Sequence, residues 1–177
     1  MWSLLTKRCF LRDYGEGDSE SFVRLNTDRE ARKHMGGALS ASEAKMLFRQ
    51  ILKDTDPCQG LRWAVFARKS NEYLGHIFFL PWESKFDWEM GIILRTEHAD
   101  NGLPEELGLA ALQYLFHEGP VQKLVSTVGA EHSRSINLLK TLGMKCVERC
   151  QDDSEYYYVF ELSKQRYLKS ALALQAS

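Results

Sequence analysis

Residues 98–116 read HADNGLPEELGLAALQYLF. The stretch has the form of a loop feeding the start of a helix, where unsatisfied N–H groups and the positive end of the helix dipole can hold an anion without any particular side chain. Gly102 lets backbone approach a ligand closely. Pro104 offers no N–H, although its fixed φ suits a first helical turn. Glu105 and Glu106 favour the dipole but repel an anion. Two readings stand: a phosphate cradle, or a self-sufficient helix start with Asp100 or Asn101 as N-cap and Pro104 at the first or second helical position.

Three strand-like runs precede this loop: LRWAVFAR at 61–68, YLGHIFFL at 73–80 and DWEMGIIL at 87–94. The polar turn SNEY separates the first two as in an antiparallel hairpin. Upstream, Ser40 and Glu43 are spaced as a capping box, and Ala44, Leu47, Phe48, Ile51 and Leu52 follow on one helical face. Before that, Thr6–Arg12 reads as a first strand. Asp18 or Ser19 caps a helix through Phe22 and Leu25, with a short continuation near Asp28–His34. Downstream come strand KLVSTVGA, helix SRSINLLKTL ended by Gly143 with Lys140 near its C-terminus, strands MKCVER and YYYVFEL, and a tail helix over 165–174.

The order is β-α-α-β-β-β-α-β-α-β-β. It predicts an α/β (α+β) fold: a mixed, mostly antiparallel central sheet with helices on both faces. No repeat, low-complexity tract or linker divides the 177 residues, so residues 1–177 read as a single domain, with its core at about 5–163.

The balance of 23 basic against 24 acidic residues, net charge −1, gives no electrostatic mark of a nucleic-acid or anionic-membrane binder. The opening MWSLLTKRCFLRDY lacks a signal-peptide core, and no apolar run approaches the roughly 18 residues of a membrane span. A cytoplasmic monomer or homodimer is the expectation. Of the four cysteines, Cys9 and Cys58 are isolated, while Cys146 and Cys150 fall on one strand. Residues four apart on a regular strand share a face at roughly 13 Å, too far for a disulfide. Buried thiols and no metal site are therefore expected.

Four local sequences stand out: Thr6–Arg12 (TKRCFLR) follows T-x-R-L-x-L-R; Leu74-Gly75-His76-Ile77 follows "iGhI"; Glu89-Met90-Gly91 follows "aEiGY"; and His132 through Met144 follows N-x-x-S-x-x-l-l-x-k-l-G-F. In these the chain resembles the GCN5-related N-acetyltransferases, particularly the ribosomal-protein N-terminal acetyltransferase branch. Together the four sequences span about residues 5–163. The resemblance implies a fold that binds acetyl-CoA where DWEMGIIL and KLVSTVGA splay apart, with the pyrophosphate on the opening loop. It implies Ile93, Leu94, Arg95 and Thr96 along the pantetheine, a backbone N–H near Leu94–Thr96 for the thioester carbonyl, and Ala99, Asp100, Asn101, Gly102, Leu103 and Pro104 at the phosphates. The family's loop pattern R/Q-x-x-G-x-G/A is matched here at one glycine.

The same resemblance places Glu89 as a base acting through water and Ser135 as hydroxyl donor to the departing sulfur. His132, in the place of the family's asparagine, falls at the pantetheine. Ser133 or Ser135 also reads as a helix cap. Where many relatives carry a tyrosine acid, this chain has Leu139. His76 has a suitable pKa for a base, but in the run YLGHIFFL it reads as structural. Trp82, Phe86 and Trp88 line an acceptor pocket or simply pack. Arg95, His98 and Arg134 are counter-charges for phosphate or solvated surface.

The implied function is transfer of acetyl from acetyl-CoA to a primary amine, a protein N-terminus or a small amine, by direct attack in a ternary complex. Pro104, Glu105, Glu106, His132 and Leu139 depart from the pattern, and motivate the alternative of a catalytically degenerate binding or regulatory module. A nucleotide-binding Rossmann domain is disfavoured: no G-x-G-x-x-G follows an early strand.

Overall fold

A computed structural model of the chain describes residues 3–54, 56–152 and 155–175. Its strands are β1 (Ser3–Leu5), β2 (Cys9–Asp13), β3 (Leu61–Ala67), β4 (Tyr73–Pro81), β5 (Asp87–Leu94), β6 (Lys123–Gly129), β7 (Lys145–Asp152) and β8 (Glu155–Ser163). The helices are α1 (Ser19–Asn26), α2 (Ala41–Lys53), α3 (Leu103–Glu118), α4 (Ser133–Thr141) and α5 (Lys164–Gln175). The strands form one sheet in the order β1-β2-β3-β4-β5-β6-β8-β7, mostly antiparallel, with β5 and β6 parallel. This is the α/β class expected, and α5 coincides with the expected tail helix.

Contacts divide the chain into two compact units, Met1–Phe79 with Gly91–Glu106, and Leu80–Met90 with Leu107–Ser177. In the first, the capping box forms as read: Ser40 Oγ accepts from the Glu43 N–H, and the Glu43 carboxylate accepts from the Ser40 N–H. The β3–β4 hairpin turns at Asn71, whose φ of 58° lies in the left-handed region that asparagine tolerates. A core of Leu25, Ala64, Phe66, Tyr73 and Ile93 is buried beneath Phe10, Tyr14 and Phe78. In the second unit, α3 buries Leu107, Ala111, Leu112, Leu115 and Phe116 along one side at helical spacing, and Leu124, Val125, Phe160 and Leu162 are buried on β6 and β8.

Several local expectations are corrected. The segment Thr6–Arg12 is not one strand. Its first three residues turn the chain between β1 and β2, the Thr6 N–H bonding to the Cys9 carbonyl at 2.9 Å and the Cys9 N–H to Thr6 Oγ1 at 3.0 Å. The expected helical continuation at 28–34 is instead a run of turns over 29–36: after one four-residue bond, Arg32 N–H to the Asp28 carbonyl at 3.2 Å, the backbone tightens to three-residue bonds, Lys33 N–H to Glu30 at 3.3 Å and Met35 N–H to Arg32 at 2.9 Å. The cysteines are unpaired, as expected, but only Cys9 is buried; Cys58 and Cys146 are exposed and Cys150 is intermediate. A bulge at Val147 adds a residue to β7, so Cys146 lies opposite Phe160 and Cys150 opposite Tyr157. Those partners differ in parity, so the two cysteines occupy opposite faces and not the same one.

Two features of the first unit fix β4. Gly75 has φ 151°, and a Cβ there would meet the Ile93 carbonyl oxygen at 2.2 Å and the Leu94 Cα at 2.7 Å, so β4 and β5 touch backbone to backbone at this point. One residue on, His76 is buried with Tyr14 Oη 2.9 Å and Tyr73 Oη 3.4 Å from its Nδ1. Burial, with smaller contributions from Arg32 and Arg62, lowers its pKa from 6.5 to about 3. The imidazole is neutral at physiological pH and structural.

Two outcomes follow. Gly75→Ala lowers unfolding free energy by roughly 3 kcal/mol, since backbone rather than a movable side-chain tip must give way; a urea midpoint equal to that of the unsubstituted protein would refute the close approach. Because the folded-state pKa of His76 is depressed, its neutral form contributes stability that is full above about pH 6.5 and drains as pH falls toward 3, at roughly 1.4 kcal/mol per unit for one proton. Urea unfolding at successive pH values should show the unsubstituted protein losing stability more steeply than His76→Gln over that window. Parallel loss in the two would show that His76 does not carry the effect.

Candidate active site

The loop before α3 lies in the first unit. At the end of β5, the Arg95 N–H bonds to the Leu74 carbonyl at 2.8 Å. The Arg95 guanidinium meets Glu72 at 2.6 Å and also pairs with Glu97. Its charge is thus engaged by two carboxylates, which weakens its candidacy as a phosphate counter-charge. His98 Nε2 is 3.9 Å from the same Glu72 and is buried without a hydrogen-bond partner among the described residues. The Ile93 and Leu94 side chains are buried, Ile93 in the core cluster, so at Ile93 only backbone is available to a ligand. Thr96 is exposed and begins a 3-10 turn, Thr96–His98, that leads into the loop.

The loop turns into α3 through two successive left-handed residues, Asn101 at φ 68° and Gly102 at φ 69°. Nothing lies within 4 Å of where a Gly102 Cβ would stand, so the glycine borders open space. The Glu106 N–H bonds to the Gly102 carbonyl at 3.1 Å. Gly102 therefore occupies the cap position, not Asp100 or Asn101, which fall too early because the chain spends both left-handed residues on the turn. Leu103 and Pro104 are the first two residues of α3. The N–H groups of Leu103 and Glu105 have no acceptor within a helix that starts here, and Pro104 contributes none.

Glu106 is where the sequence suggested repulsion, and its carboxylate is directed elsewhere. Oε1 accepts from Thr6 Oγ1 at 2.6 Å and from the Arg8 N–H at 2.7 Å, and Oε2 accepts from Arg8 Nε at 2.6 Å. Arg8 Nη1 reaches on to the Asn101 carbonyl at 2.8 Å. Burial pushes the Glu106 carboxyl upward, but the hydrogen bonds from Thr6 and Arg8 and the guanidinium charge outweigh it, and the net shift is below the usual carboxylate range. The acid is ionised, paired and turned toward the β1–β2 turn. The loop thus borders open space at Gly102 and the Glu106 carboxylate is paired, while Glu105 in the same turn is exposed.

The candidate chemical groups lie in the second unit. The parallel ladder includes Asp87–Lys123, Trp88–Leu124 and Glu89–Val125, and β6 pairs with β8 from Lys123 to Gly129. Ser126 Oγ donates to the Met90 carbonyl at 2.7 Å, and Thr127 Oγ1 donates to Glu89 Oε1 at 2.8 Å. Glu89 is half-buried. Ser135 stands in the first turn of α4 with its Oγ 3.3 Å from His132 Nε2. His132 holds the N-cap position without a side-chain capping bond, so neither Ser133 nor Ser135 is the cap. Leu139 is buried.

Trp88 is buried with its Nε1–H on the Lys85 carbonyl at 3.0 Å and belongs to the packing, whereas Trp82 and Phe86 are exposed. Arg134 is exposed. Sequence reasoning overlooked Ser126 and Thr127, and met Thr6 and Arg8 only as matches in the T-x-R run with no role attached: their partners lie 36 to 100 residues away. Among the described residues no helix is long and apolar enough to cross a membrane, and no group of three His, Cys, Asp or Glu side chains is placed to hold a metal ion.

Residues 8–145 match the model of the acetyltransferase (GNAT) domain. An uncharacterized N-acetyltransferase of Bacillus subtilis, YnaD, is 23% identical over 168 residues, covering 89% of this chain and 96% of that protein. Among solved structures, spermidine N-acetyltransferase from Vibrio cholerae, in complex with CoA and spermine, superposes with a TM-score of 0.78 at 19% identity over 91% of this chain and 98% of that one. Ribosomal-protein-S5-alanine acetyltransferase from Vibrio fischeri gives 0.81 at 9% identity over 94% and 99%. With the family model spanning most of its length and the same fold in these structures, the chain belongs to the GNAT family of acetyltransferases and is an acyltransferase enzyme.

Proposed function

We propose that the protein transfers acetyl from acetyl-CoA to a primary amine by direct attack in a ternary complex, and that residues 1–177 act as one catalytic domain. The observation that carries this is the loop at Gly102: a left-handed glycine facing open space at the start of α3, with Glu106 tied off on Arg8 and Thr6. Ala99, Asp100, Asn101, Gly102, Leu103 and Pro104 hold the diphosphate, chiefly through backbone. The backbone of Ile93, Leu94, Arg95 and Thr96 borders the pantetheine, and a strand N–H there polarises the thioester carbonyl. His132 hydrogen-bonds the pantetheine arm.

Acetyl-CoA supplies an activated acyl thioester. The residues of this chain manage protons around it. Glu89, its carboxylate steadied by Thr127, takes the amine proton through a water as the nitrogen–carbon bond forms. The Ser135 hydroxyl, oriented by His132, hydrogen-bonds the sulfur as the carbon–sulfur bond breaks. A thiolate is a good leaving group, so this bond suffices without a strong acid at the position of Leu139. The acceptor is a small amine or a protein N-terminus; the spermine in the Vibrio cholerae relative and the ribosomal-protein acceptor in the Vibrio fischeri relative motivate these two classes.

Titration with acetyl-CoA raises the melting temperature if the cofactor binds the folded state: at 100-fold excess over Kd the stabilisation is about 2.7 kcal/mol. No shift at millimolar cofactor would favour a degenerate binding module. In a turnover assay across polyamines and N-terminal peptides, Glu89→Gln lowers kcat about 100-fold with cofactor affinity retained, and Ser135→Ala lowers it about tenfold, the loss of a single hydrogen bond to developing charge. Unchanged rates would remove either residue from the chemistry.

A further inference from the structure

We infer that Arg8, from the β1–β2 turn, is a positioning residue for the cofactor loop: by neutralising Glu106 and holding the Asn101 carbonyl it keeps the first turn of α3 receptive to a diphosphate. The inference rests on the acetyl-CoA reading of that loop.

The geometry is specific. One guanidinium bridges two acceptors nearly 100 residues away in sequence, with Nε on Glu106 Oε2 at 2.6 Å and Nη1 on the Asn101 carbonyl at 2.8 Å. The Arg8 N–H and the Thr6 hydroxyl complete the Glu106 carboxylate at 2.7 and 2.6 Å. Asn101 is the residue immediately before Gly102 and shares its left-handed backbone. Arg8 thus grips the loop at its turning point and the helix at its fourth residue.

The Glu106 side chain is 17% exposed and that of Arg8 is 42% exposed, so the carboxylate is the more sheltered partner and is not neutralised by solvent alone. Without Arg8, a sheltered negative charge would remain within the first turn of α3, where it opposes any anion. Hydrogen bonds from Thr6 and a backbone N–H orient that charge but do not cancel it. Arginine rather than lysine suits the position because the planar fork serves two acceptors in fixed directions, whereas an ammonium acts as a point charge.

The test is CoA binding measured by calorimetry, with the unliganded melting temperature and circular dichroism as controls for folding. Arg8→Leu is expected to weaken CoA about tenfold at about 50 mM salt and markedly less at about 500 mM, because the exposed part of the repulsion is screened. Adding Glu106→Gln to Arg8→Leu is expected to recover affinity to within about threefold of the unsubstituted protein, since the uncompensated charge is gone while an acceptor remains for Thr6 and the Arg8 N–H. Arg8→Lys, which keeps charge but serves one acceptor, falls between. A merely structural role for Arg8 would not be rescued by Glu106→Gln in the double variant.

The inference is overturned if Arg8→Leu binds CoA within twofold of the unsubstituted protein, or if Glu106→Gln fails to improve the Arg8→Leu variant. Should Arg8→Leu not fold, Arg8→Lys decides, and wild-type-like affinity there overturns the double grip. Those results leave the acetyl-CoA reading standing. Failure of the unsubstituted protein to bind CoA removes both.

Discussion

A buried backbone carbonyl without a hydrogen-bond partner is costly, and the arrangement where β5 runs beside β6 follows from that constraint. The parallel ladder pairs Asp87–Glu89 with Lys123–Val125. Directly after these pairs Ser126, itself buried, donates its hydroxyl to the Met90 carbonyl. Thr127, the next residue and exposed, fixes Glu89. Alternation along a strand thus gives two neighbouring hydroxyls two separate tasks, one closing the backbone and one orienting a carboxylate.

The loop before α3 obeys the complementary rule. Helix starts always carry unsatisfied N–H groups, and most chains spend a capping side chain on them, as Ser40 does for α2. At α3 the cap position is a glycine, which has no side chain to spend. The residue at the fourth helical position that might have closed the site from within is instead drawn off by Arg8 and Thr6. The first turn of α3 is thus shaped by contacts from the β1–β2 turn.

Much of the fold was legible because it is governed by local chemistry. The Ser40–Glu43 box, the β3–β4 turn, the end of α4 at Gly143 and the runs that became β3, β4 and β5 are each written in a few adjacent residues. Two of the misreadings come from geometry set across the chain. The β-favouring composition of Thr6–Arg12 hid a turn that is held by residues 101 and 106. The bulge at Val147 reassigned the faces of Cys146 and Cys150, and nothing in KCVERC announces it. In the candidate site, Glu89 and Ser135 were picked out through motif resemblance; Arg8 stood in the matched T-x-R run without a role and Thr127 was missed, because the partners of both lie too far along the chain for any periodicity to reveal.

The outermost strands of the sheet, β1 and β7, carry a consequence for behaviour at high concentration. An edge strand presents a row of free peptide groups on which another chain can build, and recruitment is easiest where the edge is long, flat and apolar. Here β1 spans only three residues, and β7 is interrupted at Val147 and carries Lys145, Glu148, Arg149 and Asp152 along its exposed length. Irregular pitch and mixed charge make each rim a poor template for cross-molecule strand addition, so the folded enzyme should tolerate crowding without stacking into fibrous aggregates.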